Sequence, residues 1–353
     1  MAGRSVIEGI AIKAEVIGVS FRRLCATTSK HSKGENPVAD KKIIAVIGAT
    51  GSQGGGVVRA ILNDKGSAFA VRALTRDVNS DKARALRAAG AEVVVADVDD
   101  VESLKQAFAG AYGAFCVTPF WAHMSTVQEI AEARNMAEAA KAAGLKHVIW
   151  STLDDTRAFI PLTDNRMPTL SGSYKVPHFD AKSEADHFFT DLGVPTTMLL
   201  TTFFWDNLVG FGSGPQRGAD GVLAITFPMG DKPLGGIAAE DIGKCCYGIF
   251  KAGPQYIGKV VGIAGEFVTC AAMAEALTQA LGEEVRYNEV PADVYRGFGF
   301  PGSDDLGNMF QFYRDFATEF EASRDVAVAR QLNPELQTFA QWLAARKSQI
   351  PIA

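Results

Sequence analysis

Apolar residues between positions 41 and 202 alternate between short continuous runs and helical repeats. Ile43, Ile44, Val46 and Ile47 form a run of mostly β-branched residues, the pattern of a strand buried on both faces of a parallel sheet. Val57, Val58, Ile61 and Leu62 then recur at helical spacing. The alternation continues, with strands expected over 68–75, 92–97, 114–118, 147–152 and 196–202, that over 92–97 buried. Helices are expected over 81–89, 127–143 and 178–192, and over the stretch that follows an Asp99/Glu102 capping box. Gly90, Gly110, Gly144 and Gly193 stand where those helices should stop. Strands and helices exchanging at such short intervals predict an α/β fold with a Rossmann-type, doubly wound parallel sheet. Past residue 210 the pattern changes to short strands and turns rich in Gly and Pro, with helices near 240–251, 271–281, 303–320 and 336–347. That reads as a smaller, partly interleaved C-terminal α/β lobe. The predicted organisation is an extension over 1–40, a Rossmann domain over 41–210 and a substrate or partner lobe over 211–353.

The turn between the first strand and the first helix carries the clearest chemistry. It reads Gly48-Ala49-Thr50-Gly51-Ser52-Gln53-Gly54, a G-x-x-G-x-x-G spacing. The first glycine permits a tight turn, the second lets backbone approach a pyrophosphate, and the third lets the helix pack close to the strand. Free N–H groups at the helix start would face the phosphates. A dinucleotide is therefore the expected ligand. Arg76 ends the second strand, where an acidic residue would bind the ribose hydroxyls of NAD; a guanidinium there suits the 2′-phosphate of NADP. Asp77 follows directly and leaves a ribose contact open.

Composition narrows the classes. The chain has 353 residues and a formal net charge of −5, which gives no electrostatic case for direct nucleic-acid binding. No apolar run approaches the roughly 18 residues of a membrane span. The five cysteines form neither C-x-x-C pairs nor a secreted framework, so free thiols in a reducing, cytoplasmic compartment are expected. Cys245 and Cys246 read as one buried and one near-surface thiol on a helix. The histidines show no metal spacing, and no metal is predicted. Residues 1–40 read as a disordered or loosely packed extension. Arg22-Arg23 before small hydroxylated residues makes mitochondrial import a minor alternative, which Glu8 and Glu15 oppose.

Proton chemistry is expected on the helix from 178. Short-chain dehydrogenases place Tyr-x-x-x-Lys there; this chain has Lys182, but His178 four residues earlier. Tyr174 is out of register, and Ser151 stands near the end of the fifth strand. Lys182 and His178 are thus the candidate catalytic residues.

The chain resembles the NmrA-like family of atypical short-chain dehydrogenase/reductases, and within it the HSCARG-type NADPH-sensing proteins. The motifs that carry the likeness are GATGSQGG, GAEVV-x-x-D-x-DD, V-x-H-F-D-x-K and Asp206-Asn207-Leu208. In the second lobe they are Gly230-Asp231-x-Pro233, Asp241-Ile242-Gly243 and Gly299-Phe300-Pro301-Gly302 with Asn308-Met309-Phe310. The resemblance implies an NADP(H) site in which Gly48 to Gln53 cradle the pyrophosphate and Arg76 meets the 2′-phosphate. It implies Asp100 near the adenine, and Thr118, Pro119 and Phe120 beside the ribose and nicotinamide. Lys182 would hold the nicotinamide ribose, and Phe204, Trp205, Asp206 and Asn207 would close that side. Around Asn79-Ser80-Asp81 the family's basic residues are replaced, which weakens the expected phosphate clamp. The function it implies is a redox-sensing regulator acting through cofactor-dependent shape or association, with a transcription factor or signalling protein as partner. Nuclear as well as cytoplasmic residence, and a homodimer, fit that reading. The alternative is an NAD(P)H-dependent reductase of a small carbonyl or quinone; the missing tyrosine favours the sensor.

Overall fold

The computed structural model describes residues 41–352; the expectations made for residues 1–40 lie outside them. The strands in chain order are β1 (Lys42–Val46), β2 (Phe69–Thr75), β3 (Glu92–Val95), β4 (Gly113–Cys116), β5 (His147–Thr152), β6 (Thr196–Leu200), β7 (Phe203–Phe204), β8 (Gln216–Arg217), β9 (Leu223–Phe227), β10 (Pro233–Ile237), β11 (Val260–Gly262), β12 (Glu266–Thr269) and β13 (Val285–Glu289). Seven of them form one sheet in the order β11-β6-β5-β4-β1-β2-β3. Every pairing in it is parallel.

The helices that matter first are α1 (Ser52–Asn63), α2 (Asp81–Ala88), α3 (Val101–Phe108), α4 (Phe120–His123), α5 (Thr126–Ala142) and α6 (Pro177–Asp191). The period-two alternation of β1 feeds two cores. Ile44 and Val46 pack with Val57 and Ile61 of α1 on one face. Ala45 and Ile47 pack with Leu104 of α3, Met136 of α5 and Phe189 of α6 on the other. The predicted doubly wound sheet is therefore present. Gly90, Gly110, Gly144 and Gly193 all take positive φ at the helix ends. Two details differ from expectation. β3 is an edge strand, with Val95 55% exposed, because nothing pairs beyond it. The third helix is capped by Asp100, which accepts from the Glu102 amide, so no Asp99/Glu102 box forms.

The later helices are α7 (Asn207–Gly210), α8 (Ala239–Ala252), α9 (Cys270–Leu281), α10 (Ala292–Arg296), α11 (Ser303–Asp315), α12 (Ala317–Ala322), α13 (Val326–Leu332) and α14 (Phe339–Arg346). Two small sheets, β12-β10-β7 and β13-β9-β8, accompany them. A third core, with Phe203, Phe227, Phe310 and Trp342, lies among these elements. The chain crosses between layers on both sides of residue 210: β7 pairs with β10, while β11 extends the parallel sheet and α8 packs on α1. That helix contact is close, since a Cβ on Gly243 would lie 2.0 Å from the Gly56 carbonyl carbon. Cys245 and Cys246 are both fully buried, a correction to the split expected of them. Cys245 Sγ contacts Ala329 of α13, so α8 is covered on the side away from α1 as well. The helix expected over 303–320 breaks at Phe316 (φ −121°), whose ring packs on Phe159 and Phe312. No helix among the described residues is long and apolar enough to cross a membrane.

Candidate cofactor and substrate site

The switch point of the sheet, where connections leave β1 and β4 in opposite directions, opens a cleft of about 510 Å³. Open α/β sheets bind ligands at this place. Gly48, Thr50, Gly51, Ser52, Gln53 and Gly54 line it; Ala49 points into the core instead. Gly48 has φ +66°, which only glycine adopts without strain. A Cβ on Gly54 would sit 2.4 Å from the Gly48 carbonyl oxygen, so the third glycine is what brings α1 against the turn. Neither N-cap side chain nor acidic first turn occupies the α1 terminus, and its N–H groups face the cleft. These features fit the pyrophosphate of a dinucleotide.

Arg76 also lines the cleft and is exposed. Among the described residues its guanidinium has no hydrogen-bond partner, whereas nearby Arg84 and Arg87 are engaged by Asn79, Asp81 and Val78. Asp100 does not reach the cleft, because its carboxylate caps α3. Asp99 lines the cleft in its place, with Gln128 donating to it at 3.4 Å.

Lys182 is buried rather than solvated. Its ammonium donates to Thr118 Oγ1 (2.6 Å), the Thr118 carbonyl (3.3 Å) and Glu129 Oε1 (2.5 Å). All three donors are thus committed within the protein, and a ribose hydroxyl would have to exchange with one of them. Burial alone would raise the Glu129 pKa; the Lys182 charge, the nearby His123 ring and hydrogen bonds from Lys182 and Thr118 hold it below the ordinary value.

Beside this pair, His123 Nε2, Glu129 Oε2 and Glu132 Oε2 converge, buried and without ordinary hydrogen bonds. The imidazole nitrogen is 3.4 and 3.6 Å from the two carboxylates. The three could be taken for cation ligands, a cluster the linear spacing of histidines did not show. The ring's other nitrogen argues otherwise. Nδ1 lies 3.0 Å from the Ser125 amide, and a backbone N–H can only donate. Nδ1 therefore accepts, the ring proton sits on Nε2, and it points between the carboxylates. Metal-bound histidines donate from their second nitrogen; this one does the reverse, so the donor set does not fit a cation. Burial, reinforced by Glu129 and Asp99 and opposed by His123, pushes Glu132 up to about 7.

A second cavity, about 430 Å³, meets the first at Ser52, Gln53, Val117 and Phe204. Its walls are largely aromatic and aliphatic: Phe120, Trp121, Phe179, Phe203, Phe300, Leu306, Met309, Phe310 and Tyr313. Lys182, His178, Asn207 and Ser151 are among its polar groups, with several threonine and serine hydroxyls. Ser151 donates to Gln53 at 2.9 Å and so braces the glycine turn. Thr118 lines this cavity, Pro119 the first, and Phe204 both.

Two expected residues lie elsewhere. Trp205 is buried against Phe339 and Trp342, and its indole fills the space a Cβ on Gly236 would need. Asp206 accepts the Ala239 amide at 2.8 Å and holds the start of α8. The strand alternation through β7 sends Trp205 away from Phe204, which the run Phe203-Phe204-Trp205 does not reveal. Sequence reasoning also missed Asp305, Glu129 and His123. Asp305 accepts from His178 Nδ1 at 2.7 Å across 127 residues of chain, and no local pattern marks it.

This architecture has clear relatives. The NmrA-like family pattern matches residues 40–343. The chain is 30% identical to the NmrA-like family domain-containing oxidoreductase FrzB of Cladobotryum sp., covering 76% of this chain and 83% of that protein. It is also 30% identical to the oxidoreductase cpsB of Aspergillus campestris, covering 78% and 84%. Among solved structures, a doubly substituted NmrA has a TM-score of 0.71 at 26% identity, covering 86% and 94%. An NADPH-dependent quinone oxidoreductase of Escherichia coli, complexed with NADPH, shares the fold with a TM-score of 0.67 at 22% identity, covering 86% and 99%. The chain belongs to the NmrA-like family.

Proposed function

We propose that this protein is an NADPH-dependent oxidoreductase that reduces an apolar, aromatic-sized molecule in the second cavity. The observation that carries the reading is the meeting of the two cavities at Ser52, Gln53 and Phe204. One cavity has the glycine cradle and a free arginine suited to NADP; the other has the size and lining of a small-molecule site. Bound there, NADPH would supply a hydride. The α1 N-terminus would hold its pyrophosphate, Arg76 its 2′-phosphate, and Asp99 and Gln128 would border its adenosine half. The aromatic walls would exclude water and orient a flat substrate by its faces. Both curated relatives described above are named oxidoreductases, which supports this reading over the regulator that the missing tyrosine favours.

A second reading, a redox-sensing regulator, is favoured by one observation: Lys182 has no donor left for a ribose or a substrate. It is also the reading of the HSCARG-type likeness, and the structural neighbour NmrA is described as a negative transcriptional regulator. Fluorescence titration with NADPH, run beside a turnover screen of aromatic quinones and carbonyls, separates the two. The oxidoreductase reading expects tight NADPH binding and turnover on the order of 1 per second or faster. Binding without turnover of any acceptor would leave the regulator.

A further inference from the structure

His178 is buried at the start of α6, at the border of the apolar cavity. Its Nδ1 lies 2.7 Å from Asp305 Oδ1, and its backbone amide donates to Asp305 Oδ2 at 3.2 Å. One carboxylate thus grips both the ring and the main chain of the same residue. A carboxylate only accepts, so Nδ1 carries a proton and Nε2 is the ring's free position. Among the described residues Nε2 has no hydrogen-bond partner, and His178 lines a cavity that aromatic rings share with hydroxyl, amide and charged groups. The rings of Phe120 and Trp121 lie 5.8 and 4.8 Å from the imidazole and wall it in.

The charged neighbours are few. Asp305 faces the ring from α11, and α4 packs Phe120 and Trp121 on it while its His123 turns to Glu129 and Glu132. Along its own helix, Asp180 accepts from Thr156 and from the Lys175 and Val176 amides, and Lys182, one turn on, is paired with Glu129. Tyr313, also on α11, is the remaining titratable group of the cavity wall; burial raises its pKa well above the ordinary tyrosine range, so it stays a neutral phenol. Of these groups, His178 alone is an imidazole held by a carboxylate on one nitrogen and without a partner on the other.

We infer that Asp305 is a positioning residue that aims His178 Nε2 into the cavity, and that His178 is the proton donor for reduction of a flat, apolar carbonyl or quinone held there. The inference rests on the oxidoreductase reading. Bound NADPH would supply the hydride, two electrons with one hydrogen, and leave as the oxidised cofactor. The carbonyl π pair becomes a lone pair on oxygen, and that oxygen takes the proton from Nε2–H of the His178 imidazolium. The neutral ring keeps its Nδ1 proton on Asp305 and regains the Nε2 proton from water. This arrangement supplies what the absent tyrosine would supply, from a residue four positions before the lysine and an anchor in the other lobe.

The test uses the full chain, NADPH and phenanthrenequinone as acceptor, with Asp305→Asn, Asp305→Glu and His178→Asn. His178→Asn should lower kcat by about a hundredfold to ten-thousandfold. Asp305→Asn should lower kcat at least about tenfold, because the imidazole loses its fixed tautomer, and should leave KM for NADPH unchanged. Asp305→Glu, which keeps a carboxylate against Nδ1, should bring kcat back toward native. Independently of turnover, NMR of the cofactor-free protein with isotope-labelled histidine should find the neutral His178 ring protonated on Nδ1. Turnover that Asp305→Asn leaves unchanged in kcat would overturn the inference and spare the oxidoreductase reading. A neutral ring protonated on Nε2 would overturn it whatever the turnover. Failure of the native protein to reduce any acceptor would overturn both.

Discussion

At the scale of single residues, exposure and partnership separate the groups poised for a ligand from those already occupied. Arg76 is exposed, lines the cofactor cleft and has no partner among the described residues. Arg76→Ala should therefore weaken NADPH by about 1.5–3 kcal/mol, the worth of charge-assisted hydrogen bonds, and scarcely change NADH. Isothermal titration with both cofactors checks this; equal losses for the two would contradict it. Glu132 is the opposite case, a buried acid whose pKa rises from 4.5 to about 7. A raised acid pKa means that the folded state favours the protonated carboxyl. Its stabilising contribution is complete below about pH 4.5 and is lost as the pH rises through about 7, by up to about 3 kcal/mol. Glu132→Gln, which keeps the shape without the titration, should melt near the native protein at low pH and above it at pH 8. Parallel melting curves across that range would contradict the assignment. At this scale the sequence showed residues that lie within a motif, such as Lys182 and His178. It did not show that Glu129 neutralises the first or that Asp305 orients the second, because those partners are 53 and 127 positions away.

At the scale of elements, local patterning marked every strand of the parallel sheet except β11, and placed the long helices to within a few residues. Those features come from short-range chemistry: β-branched runs, helical repeats and a glycine past each helix end. What the pattern missed was set by neighbours. β3 is apolar like its fellows yet sits at an edge, and the break at Phe316 follows a ring that packs on Phe159 and Phe312 rather than any helix-breaking residue. The contact of α1 with α8 is likewise invisible locally, although it fixes the helix that carries the cradle. Gly243→Ala would drive a methyl to 2.0 Å from the Gly56 carbonyl carbon. Overpacking of that kind costs about 1–3 kcal/mol, and the displaced α1 should bind NADPH more weakly. Gly210→Ala, in open space on α7, is the control. Chemical denaturation showing equal stability for the two variants would contradict the close-packed contact.

At the scale of the whole molecule, the proposed function falls where the two cavities meet, at Ser52, Gln53 and Phe204. The parallel sheet supplies the cradle, and the later elements supply one wall of the apolar cavity, including Leu306, Met309 and Phe310 of α11. The chain order did suggest a sheet domain followed by a smaller lobe. The crossing of β7, α8 and β11 between layers, and hence the cavity itself, depends on packing across hundreds of residues. The central claim is that a hydride passes from NADPH in the first cavity to an acceptor in the second. Single-turnover oxidation of bound NADPH by phenanthrenequinone tests it most directly, in the native protein and in Leu306→Trp, which puts a large ring into the acceptor cavity. The account predicts that the native protein oxidises NADPH at a rate that saturates with quinone, and that Leu306→Trp binds NADPH normally but oxidises it at least about tenfold more slowly. Oxidation at the native rate in Leu306→Trp, or NADPH that stays reduced on the native protein with every acceptor, would contradict it.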